Sequence, residues 1–361
     1  GHINLSNGTN VSNEVVNLFL DGTAMGMNNV TVNNDVVDKQ NIDDSDTDFN
    51  LGTLINVSVY GTGSDANITL NKNETDQYPN ATGNFTSQIF DATAIANWTY
   101  ISWNQELPYQ KEIGRASGDG NDANGTYINT SGLVFLVYLN NESSYGENDT
   151  NVTEFSPYVN SDKLVHNNGS VNGNAITSLD SKFGKSYYFD GTGDSITLPD
   201  TGLPFGANDR TMMMWMKTTT SNEDSMIDYG THTNSQRSGF NIKSGNFHFA
   251  GQMDDLTGST TINDNIWHML LATYDGSTLT LYVDGVYETS TGKSYNTVSS
   301  GTVYIGSSST NEDYIGRIDE VAIWNRTLSA NEILNLYKRG VLRLNLSYRT
   351  SNDSSTFSDW K

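Results

Sequence analysis

Two carboxylate pairs, Glu312-Asp313 and Asp319-Glu320, are the residues best suited by type to acid–base work. Cleaving a glycosidic bond takes two carboxyl groups about 5–9 Å apart, one to protonate the leaving oxygen and one to attack or to activate water. Neighbouring residues of a strand point to opposite faces, so neither pair is expected to converge on one bond. A Glu-x-Asp-x-Glu alternation, which would put carboxylates on one face, is absent, although separate strands could still assemble a pair. The five histidines, His2, His166, His232, His248 and His268, lack the His-x-His or His-Glu-x-x-His spacing of zinc sites. His248 and His268 fall on expected strands, where a hydrogen-bonded sheet position is the ordinary role. No Gly-x-Ser-x-Gly elbow or phosphate-cradling loop occurs. The expectation is a protein without catalytic activity.

Hard oxygen ligands are the remaining chemistry. Asp44, Asp46 and Asp48, with Asn50, stand at alternate positions, as ligands do in a calcium loop. Phe49 takes the place of the turn glycine and Ile55 that of the bidentate glutamate, so the EF-hand pattern fails. A solvated acidic loop and a loose calcium site both stay open.

Asn-x-Ser/Thr sequons mark surface positions in a secreted chain, because a bulky glycan can only hang outward. About 16 fall in residues 1–170, where composition alone would give about six. They are Asn4, Asn7, Asn10, Asn29, Asn56, Asn67, Asn73, Asn80, Asn84, Asn97, Asn124, Asn129, Asn141, Asn148, Asn151 and Asn168. None occurs from Val171 to Trp324, and Asn325, Asn345 and Asn352 resume the series. N-linked glycans on an extracellular, cell-surface protein are therefore expected, with one differently built domain left bare.

Composition narrows the partners. A net charge of −23, from 19 Lys and Arg against 42 Asp and Glu, argues against nucleic acid and anionic membrane surfaces. Cysteine is absent, so neither disulfides nor thiolate metal sites hold the fold. No apolar run approaches the ~18 residues of a membrane span, and the opening Gly1-His2-Ile3 reads as a mature or internally chosen start.

Helical periodicity is nearly missing, and short alternating runs between Gly, Asn and Asp predict an all-β, multi-domain chain of β-sandwiches. Residues 1–74 read as one sandwich-like domain. The Gly- and Asn-rich stretch 114–132 reads as a boundary. Near the end, Ser329 and Glu332 form a capping box ahead of Ile333, Leu334, Leu336 and Tyr337, which predicts one short helix over 329–338 stopped by Gly340.

Three motifs then carry a resemblance. They are Phe183-Gly184-Lys185-Ser186-Tyr187-Tyr188-Phe189-Asp190-Gly191, Ile266-Trp267-His268 running to Asp284-Gly285, and Ile318-Asp319-Glu320-Val321-Ala322-Ile323-Trp324 with the helix after it. In order over residues 133–340, they resemble the opening strand, central hairpin and closing strand of laminin-G-like, concanavalin A-like jelly rolls. Asp275-Gly276 and Asp284-Gly285 supply tight turns, and Leu279, Leu281 and Val283 alternate inward between them. The resemblance implies a structural calcium held by Asp190, Asp194 and Asp319; the plainer alternative makes them turn and strand-end residues. The aromatics Trp215, Tyr229, Trp267, Tyr282, Trp324 and Tyr337 are candidates for a sugar platform on the concave sheet, although alternating positions suit a core better for most of them.

After the jelly roll, Leu342, Leu344, Leu346 and Tyr348 give one apolar strand face that must pack somewhere. The expectation is that the jelly roll is an insertion and that residues 341–361 return to complete a discontinuous sandwich begun at 75–115. This nested order is similar to that of surface glycoproteins in some archaea. Alternatively the tail adds to a sheet of the next subunit. The functional expectation is a subunit of a surface filament, pilus or layer, partnered by copies of itself and displaying the jelly roll for adhesion. A monomeric carbohydrate-binding adhesin of surface glycans, and a fragment of a glycan-active enzyme, are the competing readings.

Overall fold

The computed structural model describes residues 128–155 and 168–341 in full, with residues 110–114 and a few positions between 50 and 62. For strands elsewhere it describes backbone pairing. The chain divides into two compact units, Gly1–Gln110 with Val341–Lys361, and Lys111–Gly340.

The second unit is a two-sheet antiparallel sandwich. Its first sheet runs Ile176–Ser178, Ser186–Asp190, Ile315–Trp324, Arg210–Lys217, His268–Tyr274, Thr278–Val283 and Val286–Gly292, and Leu133–Val137 also pairs with Ile315–Trp324. The second sheet runs Asn151–Val152, Gly169–Asn172, Ser195–Pro199, Thr302–Ile305, Ser225–Gly230, Arg237–Lys243, Asn246–Ala250 and Leu256–Thr261. Both orders interleave distant strands, as a jelly roll requires.

Period-two alternation builds the core between the sheets. Met212, Met214 and Met216 point inward from the first sheet, against Phe240, Ile242, Phe247 and Phe249 from the second. Each such side chain removed from water contributes roughly 1.5–3 kcal/mol. Leu279, Leu281 and Val283 are buried at alternate positions, and the hairpin beyond them closes on Asp284 and Gly285, both at positive φ. That geometry is the turn the Asp-Gly pair encodes.

The capping box forms as read. Glu332 N–H donates to Ser329 Oγ at 3.3 Å, and Ser329 N–H donates back to Glu332 Oε2 at 2.8 Å. The helix, however, runs Ala330–Val341, so Gly340 lies inside it and does not stop it. Its reason is packing: a Cβ there would overlap the Trp215 ring, which lies under the helix and also stacks on Tyr337.

In the first unit, Arg343–Ser351 pairs antiparallel along Val11–Asp21, which also pairs with Thr82–Thr86 and Phe90–Ala96. A four-stranded sheet joins His2–Asn4, Trp98–Gln105, Met27–Asn34 and Gln40–Asp43. Strand pairing therefore runs across the boundary expected near residue 74. Arg343–Ser351 stands at the end of its sheet order.

Candidate functional site

The outer face of the second sheet gathers the polar side chains that the sandwich core does not use. Antiparallel register sets Asn241 opposite His248, and His248 opposite Thr257, in one row across three strands. The adjoining row holds Tyr304, Asp228, Gly239 and Ala250. Directly opposed residues share a face, so these rows are neighbours on the side away from the core.

Arg237 organises the face. Its Nε donates to Asp228 Oδ1 at 2.5 Å and its Nη2 to Glu312 Oε2 at 2.5 Å. The Asp228 side chain is 1 % exposed and that of Arg237 4 %, so each charge is compensated where water is excluded. Glu312 is 32 % exposed and reaches solvent from its loop. Among the described residues no protein group occupies its Oε1. Gly239 makes the arrangement possible, since a Cβ there would stand 3.0 Å from Asp228 Oδ1 and 3.3 Å from Arg237 Nε. His232 Nε2 lies 2.9 Å from Asp228 Oδ2, and its Nδ1 lies 3.3 Å from Thr310 Oγ1. His248 Nδ1 shares a hydrogen bond with Thr257 Oγ1 at 2.8 Å. Burial holds the His248 imidazole below its ordinary value, so it is uncharged at neutral pH.

The sequence candidates for acid–base work are spent elsewhere. Glu312 and Asp313 diverge: Asp313 accepts from Gly193 N–H at 2.9 Å and Ser307 Oγ at 2.6 Å. Asp319 and Glu320 do not diverge as expected, because the register shifts there and Glu320 sits at φ +41° in a β-bulge. Both are fully buried under the helix. Asp319 accepts backbone N–H groups from Lys182 and Phe183, and Glu320 pairs with Arg339. His268 sits between Asp284 and Asp264 at 2.7 and 3.1 Å on the first sheet. Burial opposes a proton there, but the two carboxylates outweigh it and raise the imidazole above its usual value.

The calcium trio does not come together. Asp190 and Asp194 meet, with Asp194 Oδ2 accepting Asp190 N–H at 2.9 Å and Asp194 Oδ1 accepting Asn174 N–H at 2.7 Å. Asp190 accepts from Asn174 Nδ2 and Thr192 N–H, each at 2.9 Å. Asp190 stands in register with Ile315, four residues from Asp319 along the strand and so about 13 Å away. Ligands that must lie 2.3–2.6 Å from one ion cannot span that gap, so the three residues as a set do not fit calcium. Among the described residues no group of three or more His, Asp or Glu is placed to hold a metal. Asp44, Asp46 and Asp48 lie outside the described residues.

Of the aromatic candidates, Trp215, Tyr229 and Trp324 are fully buried. Trp267 donates Nε1–H to Asp180, and Tyr282 meets Tyr287 edge-on, both on the first-sheet side. Tyr304, half-buried beside Asp228, is the aromatic that shares the polar face, and it was not singled out in the sequence. Its signal was the alternation Thr302 to Ile305, which leaves Tyr304 pointing away from buried Val303 and Ile305. Of the sequon asparagines, Asn129, Asn148, Asn151, Asn168 and Asn325 are exposed and Asn141 is half-buried. The side chains of the others lie outside the described residues.

Comparison with known proteins agrees with this architecture. Residues 190–334 match a family model of the laminin G type, described as the concanavalin A-like lectin/glucanases superfamily. The chain thus carries a concanavalin A-like jelly roll within an all-β structure. Solved structures with a similar chain path include the binding domain of Paraclostridial Mosquitocidal Protein 1, at 20 % identity and TM-score 0.43 over 58 % of this chain and 52 % of that one. Domain 4 of AbnA, an extracellular arabinanase from Geobacillus stearothermophilus solved with arabinotriose, matches at 18 % identity and TM-score 0.43, over 57 % and 98 %. The botulinum neurotoxin serotype D ligand binding domain, solved with N-acetylneuraminic acid, matches at 16 % and 0.45, over 58 % and 51 %. The chain spans about half the length of the toxin domains it matches. No curated protein matches it. Among the described residues no helix is long and apolar enough to cross a membrane.

Proposed function

We propose that residues 111–340 are a non-catalytic glycan-binding module, carried by an N-glycosylated protein of the cell surface. The observation that carries the reading is Arg237 bridging Asp228 and Glu312 on the outer face of the second sheet. Both carboxylates are taken up as acceptors from one guanidinium, whereas hydrolysis needs a pair left to flank the bond. A part-exposed carboxylate, a half-buried aromatic ring and the exposed Thr257 hydroxyl are what a sugar ring contacts, with Asn241 and His248 buried beneath them. The residues around Arg237 lie within the sequon-free stretch, so the protein's own glycans would leave that part of the face open, while the sequon Asn151 stands on the far edge strand of the same sheet.

The test is a glycan array probed with the full chain, with Arg237→Met as the control for the face. Absence of binding by the folded protein to any glycan would sink the reading.

A second reading, a subunit of an archaeal-type surface filament or layer, is supported by Arg343–Ser351 ending its sheet order. An edge strand is a template for strand addition from another copy. Electron microscopy of native material showing only discrete monomers would count against it.

A further inference from the structure

We propose that the outer face of the second sheet takes an uncharged sugar, read through its hydroxyl donors, and turns away acidic glycans. The inference rests on the glycan-binding reading above and adds the class of ligand. Charge carries it. Around Arg237 and Lys243 the face presents Asp228, Glu312, Asp255 and Glu223, and the next cation, Lys293 beside Asp255, is itself matched by Asp254 at 2.7 Å, so carboxylates stay in excess. Neither Lys243 nor Arg237 is free, since Lys243 Nζ lies 3.0 Å from Glu223 and Arg237 holds two carboxylates at once. Burial holds the His248 imidazole below its ordinary value, and His232 is already turned to Asp228 and Thr310, so neither is left for an anion. A sialic acid, uronate or sulfate would have to displace Glu312 from Arg237 or sit uncompensated among like charges, and specificity is commonly built from such repulsion.

The polarity of the open hydrogen-bonding positions agrees. An ionised carboxylate only accepts, so Glu312 Oε1 calls for a donor, and a sugar hydroxyl supplies one in a charge-assisted bond. Tyr304, in register with Asp228, offers the π-face against which the C–H side of a sugar ring packs.

The experiment is binding of the full chain to neutral oligosaccharides beside sialylated, uronate-bearing and sulfated glycans, at about 150 mM salt so that long-range repulsion is screened. Neutral glycans alone should bind. Tyr304→Ala should weaken them about tenfold while the chain still melts cooperatively as a folded protein. Glu312→Gln, which keeps the shape and removes the charge, should lower neutral affinity and admit acidic glycans. Equal or tighter binding of acidic glycans by the unaltered chain would overturn the inference and leave the glycan-binding reading standing. Binding of no glycan would remove both.

Discussion

Arg339 and Glu320, both 0 % exposed, face each other beneath the helix, with Arg339 Nη1 donating to Glu320 Oε1 at 3.1 Å and Nη2 paired to Oε2. The pair gathers the two points where the chain enters and leaves this unit. Glu320 Oε1 accepts Ile113 N–H at 2.5 Å, and Arg339 Nη1 also donates to the Lys111 carbonyl. The guanidinium lies 4.5 Å over the Phe183 ring. Removing one member leaves the other charged and buried, which costs about 3–5 kcal/mol, whereas replacing both with apolar groups is often near neutral. Arg339→Met should therefore lower the unfolding free energy by about 3–5 kcal/mol, and Arg339→Met with Glu320→Met should recover much of it. Denaturant midpoints of the two variants check this; equal losses in both would show that the pair is not the source.

Beside this pair, Glu112 is pushed up from 4.5 to about 7, by burial first, with Glu320 and Glu147 adding to it against Asn140 and Arg339. A carboxyl whose pKa rises on folding binds its proton more tightly when folded, so its contribution is fully present below 4.5 and is lost as pH climbs through about 7. Glu332 runs the other way. Burial opposes the shift, yet hydrogen bonds from Arg326 and Ser329 outweigh it and lower the carboxyl to about 2. Its contribution is present above 4.5 and lost as pH falls through about 2. Unfolding measured against pH should show stability falling from pH 5 to 8 in the wild type and a flatter limb in Glu112→Gln. Glu332→Gln should flatten only the acid limb. An unchanged alkaline limb in Glu112→Gln would refute the assignment.

Gly340 shows where sequence reading stopped short. A glycine after an amphipathic run reads as a helix stop, and changing an exposed helical glycine to alanine ordinarily stabilises by about 1 kcal/mol. Here the Trp215 ring occupies the space a methyl group needs, so Gly340→Ala should destabilise by about 1–3 kcal/mol, read as a lowered thermal midpoint. The jelly roll and capping box were legible because both are local: period-two alternation, Asp-Gly turns and a Ser-x-x-Glu spacing each act over a few residues. The polar face was not, because Arg237, Asp228 and Glu312 lie 9 and 75 residues apart along the pairs they form, and only sheet register together with the path of the loop carrying Glu312 brings them together. The bulge at Glu320 was hidden for the same reason, since it is a property of two paired strands.

Glycan occupancy should follow which side-chain amides are free. Attachment uses Nδ2, and Asn141 donates its Nδ2 to Asp149 at 2.8 Å while Asn129 donates its own to Glu332 at 3.2 Å. Asn148 engages only its Oδ1, accepting from Thr150. Glycopeptide mass spectrometry of native protein is expected to find Asn148, Asn151, Asn168 and Asn325 more fully occupied than Asn129 and Asn141. The reverse order would mean that the folded surface does not govern modification.

The last prediction isolates the binding face from the core. Gly239 lies beneath the Arg237–Asp228 pair, with the Ile227 carbonyl 3.1 Å from where a Cβ would stand. Backbone strain is not the issue, since no left-handed φ is required there. A methyl group would lift the ion pair from the sheet and tilt Glu312 with it, while Phe240 and the other core contacts on the opposite side stay in place. Gly239→Ala should then cost about 1–2 kcal/mol of stability, within the range of mild overpacking, but weaken glycan binding at least about tenfold. Calorimetric titration beside a thermal melt separates the two effects. A variant that binds as tightly as the wild type would place the glycan somewhere other than over Arg237, and would shift attention from this row of the sheet to the loops around it.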